Sequence, residues 1–384
     1  MIIGFFSDHN FLTDESEEIY TSGTLDSLFW KRYLDNGAHH VIAVGRYGGA
    51  VRGRPKSASA ANVSIRFSES LSSPLGLIGF LNDDVIKETV REVDKVIVRL
   101  PSEIGNRAIH HAKRLGIPVA CEVVACPKDA LQFHGSLSAK LYSHFAAYRM
   151  KRYVGQCDAA LYVTQVELQR RYPNIRFVAS ASNVELHEIK KDCMAERLSR
   201  FRKRVSKGEL TFGLVGTLQN KSKGVDIAIK ALAGKNHKLV VIGRGSHNEY
   251  TELAENLGVN VDFKGFINQK EVVFSELDDV DIYLQPSFQE GLSRSTLEAM
   301  SRGCPVLTSS AGGFAEITHP EFLHNPGDHK TLSADIDKAL TEQTLQKLIF
   351  HSLKTSEKYL RANLNAKRIF FYKTFFSEEF PRSL

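Results

Sequence analysis

The sequence predicts an α/β protein made of two doubly wound domains in series. Three observations predict it. Short β-branched apolar runs alternate with helix-period patterns along both halves of the chain, a charged stretch of weak periodicity separates the halves, and 384 residues exceed what one hydrophobic core usually organises. The expected division is a first domain at 1–185, a linker at 186–208, a second domain at 209–355 and a helical tail at 356–384.

Along the first half, residues 1–6 read as a strand, Leu25, Leu28, Phe29, Tyr33 and Leu34 fall at helical spacing, and 41–44 read as the next strand. This is a βαβ opening. It continues with strand 95–100, helix 103–115 stopped by Gly116, strand 117–124, and strand 159–163 followed by Thr164 as a cap. Strands alternating with helices imply a parallel sheet covered on both faces.

From about Asn183 to Gly208 the periodicity weakens while charge rises through Lys190-Lys191-Asp192 and 200–207. The second half then alternates more cleanly. Strands are expected at 210–215, 237–242, 261–265, 282–285 and 305–308, with helices at 224–232, 247–257, 271–277 and 292–302. From Thr341 onward the pattern is helical, and the aromatic run Ile369-Phe370-Phe371-Tyr372 needs a partner surface in its own domain or the first.

Composition narrows the class. Apolar residues at 42% and charged residues at 24% exclude wholesale disorder. No run approaches about 20 apolar residues and the first residues lack a basic flank, so the chain is expected in the cytoplasm. Cys121, Cys126, Cys157, Cys193 and Cys304 lack zinc-site spacing and are expected to be reduced and buried. The net charge of +6 is mild, but Arg149, Lys151 and Arg152 and then Arg200, Arg202, Lys203 and Arg204 form basic clusters. Each is either a solvated face or a contact for an anionic surface. No nucleic-acid-binding motif accompanies them.

Two doubly wound domains offer strand ends and helix N-termini where exposed amides and the helix dipole favour an anion. The strongest local signal is Gln285-Pro286-Ser287-Phe288-Gln289-Glu290-Gly291-Leu292-Ser293-Arg294-Ser295-Thr296-Leu297-Glu298-Ala299-Met300, a strand end, a glycine turn and a helix. Glu290 and Glu298 stand eight residues apart, roughly 12 Å along a helix. That spacing suits one carboxylate at a sugar and one at a ribose, with a diphosphate over the amides of Gly291, Leu292 and Ser293.

These residues resemble the E-x7-E motif of the retaining GT-B glycosyltransferases of family four, with Gly303-Cys304-Pro305-Val306 and Gly312-Gly313-Phe314-Ala315-Glu316-Ile317 following as in that family. The resemblance implies two Rossmann-like domains facing across a cleft, Glu298 on the ribose hydroxyls, and Glu290 on the donor sugar or the developing charge. Val215-Gly216-Thr217-Leu218-Gln219-Asn220-Lys221-Ser222-Lys223-Gly224 is similar to the segment that carries an arginine and then a lysine toward the diphosphate. Lys223 matches the lysine. Thr217 stands where the arginine is expected, so Lys221, Arg244 or Arg294 is left to substitute.

The turn Gly243-Arg244-Gly245 lies near the nucleotide in the family, and Gly265-Phe266-Ile267 resembles the segment meeting the base. Tyr20-Thr21-Ser22-Gly23-Thr24, expected in a long loop after the first strand, resembles a glycine loop that touches donor and acceptor, which makes Gly23 a candidate. No histidine stands at the strand end near 122–126 where relatives place one, so His134 and Asp129 are the candidates for orienting the acceptor hydroxyl. Residues 158–164 and 168–173 look like bacterial polysaccharide-assembly members of the family.

The resemblance therefore implies a retaining glycosyltransferase that uses a UDP- or GDP-sugar on a glycan or polyprenyl-diphosphate-linked acceptor, with peripheral membrane contact. With no Asp-x-Asp in a metal-binding context, no metal or other cofactor is expected to be obligatory, since Lys223 and helix amides can neutralise the diphosphate. Two alternatives stand beside it: a catalytically degenerate binding subunit of an assembly complex, and a GT-B-like sugar-nucleotide epimerase.

Overall fold

The computed structural model describes residues 1–16, 18–51, 55–71, 82–132 and 137–380. The chain divides into two compact units, Met1–Asn183 with Asn365–Leu384, and Val184–Leu364.

In the first unit, the described residues form a nine-stranded sheet. Its parallel part runs in space Val63–Ser68, His40–Ala50, Ile2–Thr13, Lys95–Leu100, Val119–Val123, Ala159–Tyr162, Phe177–Ser180. In chain order that is 3-2-1-4-5-6-7, so the direction of winding reverses between Ile2–Thr13 and Lys95–Leu100. Ligands of doubly wound sheets bind outside the carboxyl ends of the strands at such a reversal.

Two expectations shift here. The first strand does not stop at residue 6 but continues to Thr13 through a register shift between Phe6 and Asn10, because Phe11 is fully buried and keeps the inward face going. Ile19–Thr21 then pairs back antiparallel, Leu12 opposite Tyr20, so the segment expected as loop begins in a strand. The helical pattern at 25–34 becomes a one-turn helix, Lys31–Leu34, with Leu25, Phe29, Trp30 and Tyr33 buried and Leu28 exposed. Helix Glu103–Arg114 starts at a satisfied cap: the Ser102 hydroxyl accepts from the Gly105 amide, while the Asp8 carboxylate accepts from the Ser102 hydroxyl and the Ile104 amide.

The second unit holds a fully parallel six-stranded sheet in the order Asn260–Gly265, Lys238–Ile242, Thr211–Val215, Ile282–Gln285, Val306–Ser309, Leu323–His324. In chain order this is 3-2-1-4-5-6, with the reversal between Thr211–Val215 and Ile282–Gln285.

The stretch 186–208 is no linker. It carries helix Cys193–Val205, which packs Leu198 and Phe201 into the core of the second unit. Buried Arg197 donates to the carbonyls of Leu277, Val280 and Arg302, and Arg200 and Arg204 both pair with Asp281. The weak periodicity arose because this helix buries an arginine on its inner face. Arg202 pairs with Glu342, so much of that basic cluster is internal pairing. In the other cluster Arg149 is held by Glu103, leaving Lys151 and Arg152 exposed.

Helix Glu342–Glu357 buries Leu345, Leu348 and Ile349 in the second unit. From Asn365 on, helix Arg361–Phe376 belongs to the first unit, where Phe371, Tyr372 and Phe375 are fully buried and Phe371 stacks on Phe177 at 5.3 Å between ring centroids. All five cysteines are buried and free of disulfides. No described helix is long and apolar enough to cross a membrane.

Candidate active site

The best-built site lies at the carboxyl ends of the second sheet, where its winding reverses. After Thr211–Val215 the chain passes Gly216 and Thr217 into the 3-10 turn Lys221–Lys223, capped by the Asn220 side chain on the Ser222 amide. After Ile282–Gln285 it passes through Pro286 and Phe288 to Glu290. The Phe288 amide donates to the Ser222 carbonyl at 2.8 Å, tying the two loops together. Gly224 sits at φ 68°, and a Cβ there would lie 2.1 Å from the Pro286 carbonyl oxygen, so only glycine permits this approach.

Lys223 and Glu290, 67 residues apart in sequence, form an ion pair through Nζ and Oε1, with side chains 23% and 10% exposed. Gly216 makes room for the lysine stem, since a Cβ there would meet Lys223 Cγ at 2.8 Å. Gly312 and Gly313 press on the Glu290–Gly291 turn from the other side, and the Gly313 amide donates to the Gly291 carbonyl at 2.7 Å. The turn presents Gly291 exposed and Leu292 half-buried, and the buried Ser293 hydroxyl caps helix Arg294–Ser301 by accepting from Thr296.

Glu298 sits on that helix, half-buried, its carboxylate with no hydrogen-bond or ion-pair partner among the described residues. Burial pushes its carboxyl above the usual range, against the pull of Lys270 and Arg294. A half-buried carboxylate short of partners in this way keeps unused acceptor capacity.

The nearby turns are zipped together. The Gly216 amide donates to the Ile242 carbonyl and the Leu218 amide to the Arg244 carbonyl, while the Thr217 hydroxyl reaches the Arg244 carbonyl at 3.3 Å. Gly243 packs so closely that a Cβ would stand 1.7 Å from the Gly216 carbonyl oxygen. Arg244 is exposed, its guanidinium 4.4 Å from the centroid of the Phe266 ring. Phe266 is 58% exposed and Ile267 is half-buried.

Sequence reasoning missed the layer beneath. Tyr283, fully buried, accepts from the Val215 amide and donates to Gln285 Oε1 at 2.6 Å. Gln285 continues to the Ser287 hydroxyl, and Ser309 and Ser295 bond the Ser287 and Val215 carbonyls. This network fixes both loop bases. Its only sequence signal was polar residues inside an otherwise apolar strand run.

In the first unit, Gly23 lies against His9: a Cβ there would meet the imidazole Cε1 at 2.8 Å. His9 Nε2 is 2.7 Å from the Thr21 hydroxyl, and burial followed by the charge of Arg99 lowers its pKa. His9 went unnoticed because residues 7–13 did not read as strand. Both carboxylate oxygens of Asp129 accept from Arg171 Nη1 at 2.8 Å. His134 lies outside the described residues. Glu122 is buried and accepts from Tyr33, Tyr372 and Arg99; burial pushes its carboxyl up, but Arg99, Arg32 and the two phenols prevail and hold it below the usual range. No described group of three or more His, Cys, Asp or Glu is placed to hold a metal ion.

Residues 196–362, which include every candidate from Thr217 to Glu298, match the family model of the glycosyl transferases group 1. Protein CapJ of Staphylococcus aureus is 29% identical over 374 residues, 94% of this chain and 92% of its own. The lipopolysaccharide glucosyltransferase WaaG of Escherichia coli is 33% identical over 135 residues, 32% of this chain and 36% of its own. A sucrose-phosphate synthase structure from Thermosynechococcus elongatus shares the fold, with a TM-score of 0.65 over 98% of this chain and 99% of its own at 16% identity.

Proposed function

We propose that this chain, whose residues 196–362 match the glycosyl transferases group 1 and whose fold is shared with a GT-B sucrose-phosphate synthase, moves a sugar from a UDP- or GDP-sugar to a glycan or lipid-linked glycan in polysaccharide biosynthesis, with retention of configuration. The observation that carries this reading is the pairing of Lys223 with Glu290 at the winding reversal of the second sheet, followed by a helix whose Glu298 carboxylate has no hydrogen-bond or ion-pair partner among the described residues.

In this reading Glu298 accepts from the ribose hydroxyls, and the Gly291, Leu292 and Ser293 amides with Lys223 hold the diphosphate. The bond between the sugar's anomeric carbon and the phosphate oxygen breaks as the acceptor oxygen bonds to that carbon on the same face. The acceptor proton passes to the leaving phosphate oxygen, so no protein base is needed. Lys223 stabilises the charge growing on the diphosphate, and Glu290 the charge on the sugar. We assign no obligatory metal, because the lysine and the helix-end amides supply the neutralisation. The acceptor class draws on the lipopolysaccharide substrate in WaaG's name. A cytoplasmic location at the inner membrane face fits the exposed Phe145, Tyr148, Lys151 and Arg152 on helix Leu137–Gln156.

The test is thermal stabilisation by a panel of UDP-, GDP- and ADP-sugars in EDTA, for the wild type and Glu298→Ala. The expected result is a shift with one nucleotide, retained in EDTA and lost in the variant. Absence of any shift would sink the donor reading.

A further inference from the structure

In the second unit the two strands that flank the winding reversal come apart before they end. Thr211–Val215 and Ile282–Gln285 are in register only at Phe212 with Ile282 and Gly213 with Tyr283. Beyond that point each strand runs on paired to its outer neighbour, Val215 with Ile242 and Gln285 with Thr308. Side chains fill the split. The Val215 amide donates to the Tyr283 hydroxyl at 3.2 Å, and the Val215 carbonyl accepts from the Ser295 hydroxyl at 3.0 Å. The Tyr283 hydroxyl donates in turn to Gln285 Oε1, and the Gln285 amide to the Ser287 hydroxyl at 3.1 Å. Tyr283, Gln285 and Ser287 are fully buried.

The loops that leave this split carry the paired charges. The chain after Val215 holds Lys223, the chain after Gln285 holds Glu290, and the two meet again where the Phe288 amide donates to the Ser222 carbonyl and Lys223 pairs with Glu290. The strands are therefore joined below at Gly213 and Tyr283, joined above at the ion pair, and bridged between by the phenol. Burial raises the pKa of that phenol and the charge of Glu290 adds to it, so the carboxylate stands within electrostatic reach of the bridge. A continued backbone ladder would draw the strand ends together, whereas a rigid ring fixes their separation.

We propose that Tyr283 is a positioning residue for sugar transfer: as a strut between the parted strand ends, it sets the distance at which Lys223 and Glu290 face each other, without touching the donor. The inference rests on the nucleotide-sugar reading above. Without the hydroxyl, the buried Val215 amide and Gln285 Oε1 lose a partner, and the strand ends relieve that loss by closing on each other. The closure displaces Lys223 against Glu290, and misplacing groups that act in the transition state costs rate rather than ground-state binding.

The test measures release of UDP or GDP, with water as the acceptor, from the UDP- or GDP-sugar that binds the wild type. It compares wild type, Tyr283→Phe, and Gln285→Met, which removes the phenol's own acceptor. Tyr283→Phe is expected to lower kcat by about 10–100-fold while the donor KM changes by less than about threefold, and Gln285→Met to move both in the same way. On a Glu290→Gln background, Tyr283→Phe is expected to cost less than about threefold more, because the distance it set no longer matters. Leu348→Ala, in the core of the second unit on helix Glu342–Glu357, is the control: it is expected to lower the melting temperature and leave kcat unchanged. An unchanged kcat in Tyr283→Phe, an equal loss in Leu348→Ala, or full additivity on the Glu290→Gln background would each overturn the proposal. Should Tyr283→Phe fail to fold, Gln285→Met decides by the same criteria. If the wild type binds none of the sugar nucleotides, the donor reading itself falls, and this proposal with it.

Discussion

The two sheets wind in the same order around their reversal points, yet their charges are arranged in opposite ways. In the first unit the buried or half-buried acids are fully engaged. Glu122 accepts from Arg99, Tyr33 and Tyr372, Asp8 pairs with Arg46 and caps a helix, Glu103 holds Arg149, and Asp129 holds Arg171. In the second unit, among the described residues, the Glu298 carboxylate has no hydrogen-bond or ion-pair partner and Arg244 lies over the Phe266 ring with no carboxylate partner. The difference teaches that charge alone does not mark a functional site. A charge whose partners are all present is holding the fold, and one left without them is prepared for a ligand.

The contrast breaks most visibly at Glu122. Glu122→Ala strips the acceptor from two buried phenols and a guanidinium, and it is expected to lower unfolding stability by about 3–5 kcal/mol, read by chemical denaturation. A variant as stable as the wild type would mean that the clasp between the final helix and the first sheet is idle. Next comes Lys223→Ala, expected to reduce turnover by about 10²–10³-fold, comparable to deleting one donor that stabilises transition-state charge. Steady-state transfer assays decide it, and a near-normal rate would remove Lys223 from the chemistry.

The smallest effect is the most diagnostic of the comparison, because the two glutamates should answer pH with opposite signs. Glu122 has a lowered folded pKa, so its contribution is present above the ordinary glutamate range and lost as pH falls through the folded value. Glu298 has a raised folded pKa, so the folded state holds its proton more tightly and stability is lost as pH rises through that value. At neutral pH, Glu298→Gln is therefore expected to raise the ligand-free melting temperature, by about 1–2 °C, while removing the donor-induced shift. A fall in ligand-free melting temperature in that variant would contradict the reading of Glu298 as an unsatisfied acceptor.

Much of this was legible in the chain. The alternation of strands and helices in the second half matched the structure closely, because buried parallel strands are short, nearly continuous apolar runs and glycines punctuate their ends. The motif residues Glu290, Gly291, Ser293 and Glu298 were legible for the same reason, since a strand end, a tight turn and a helix start are all local features. The first half was harder. The strand extension to Thr13 passes through a register shift, where the two-residue alternation is interrupted at Phe6 to Asn10, and that hid His9. The helix Cys193–Val205 was hidden because it buries Arg197 on its inward face, which no hydrophobic pattern records.

By itself the sequence determined two doubly wound units and which segment holds the glutamate pair, since each depends on periodicity or on residues close in the chain. Tertiary structure alone decided that Lys223 meets Glu290 across 67 residues, that Arg244 stands beside Thr217, that Asp129 is occupied by Arg171, and that the final helix closes on Glu122 of the first sheet. Those outcomes depend on which strands lie side by side and which groups are left without partners once the sheets have formed. Neither is a property of any local stretch of residues.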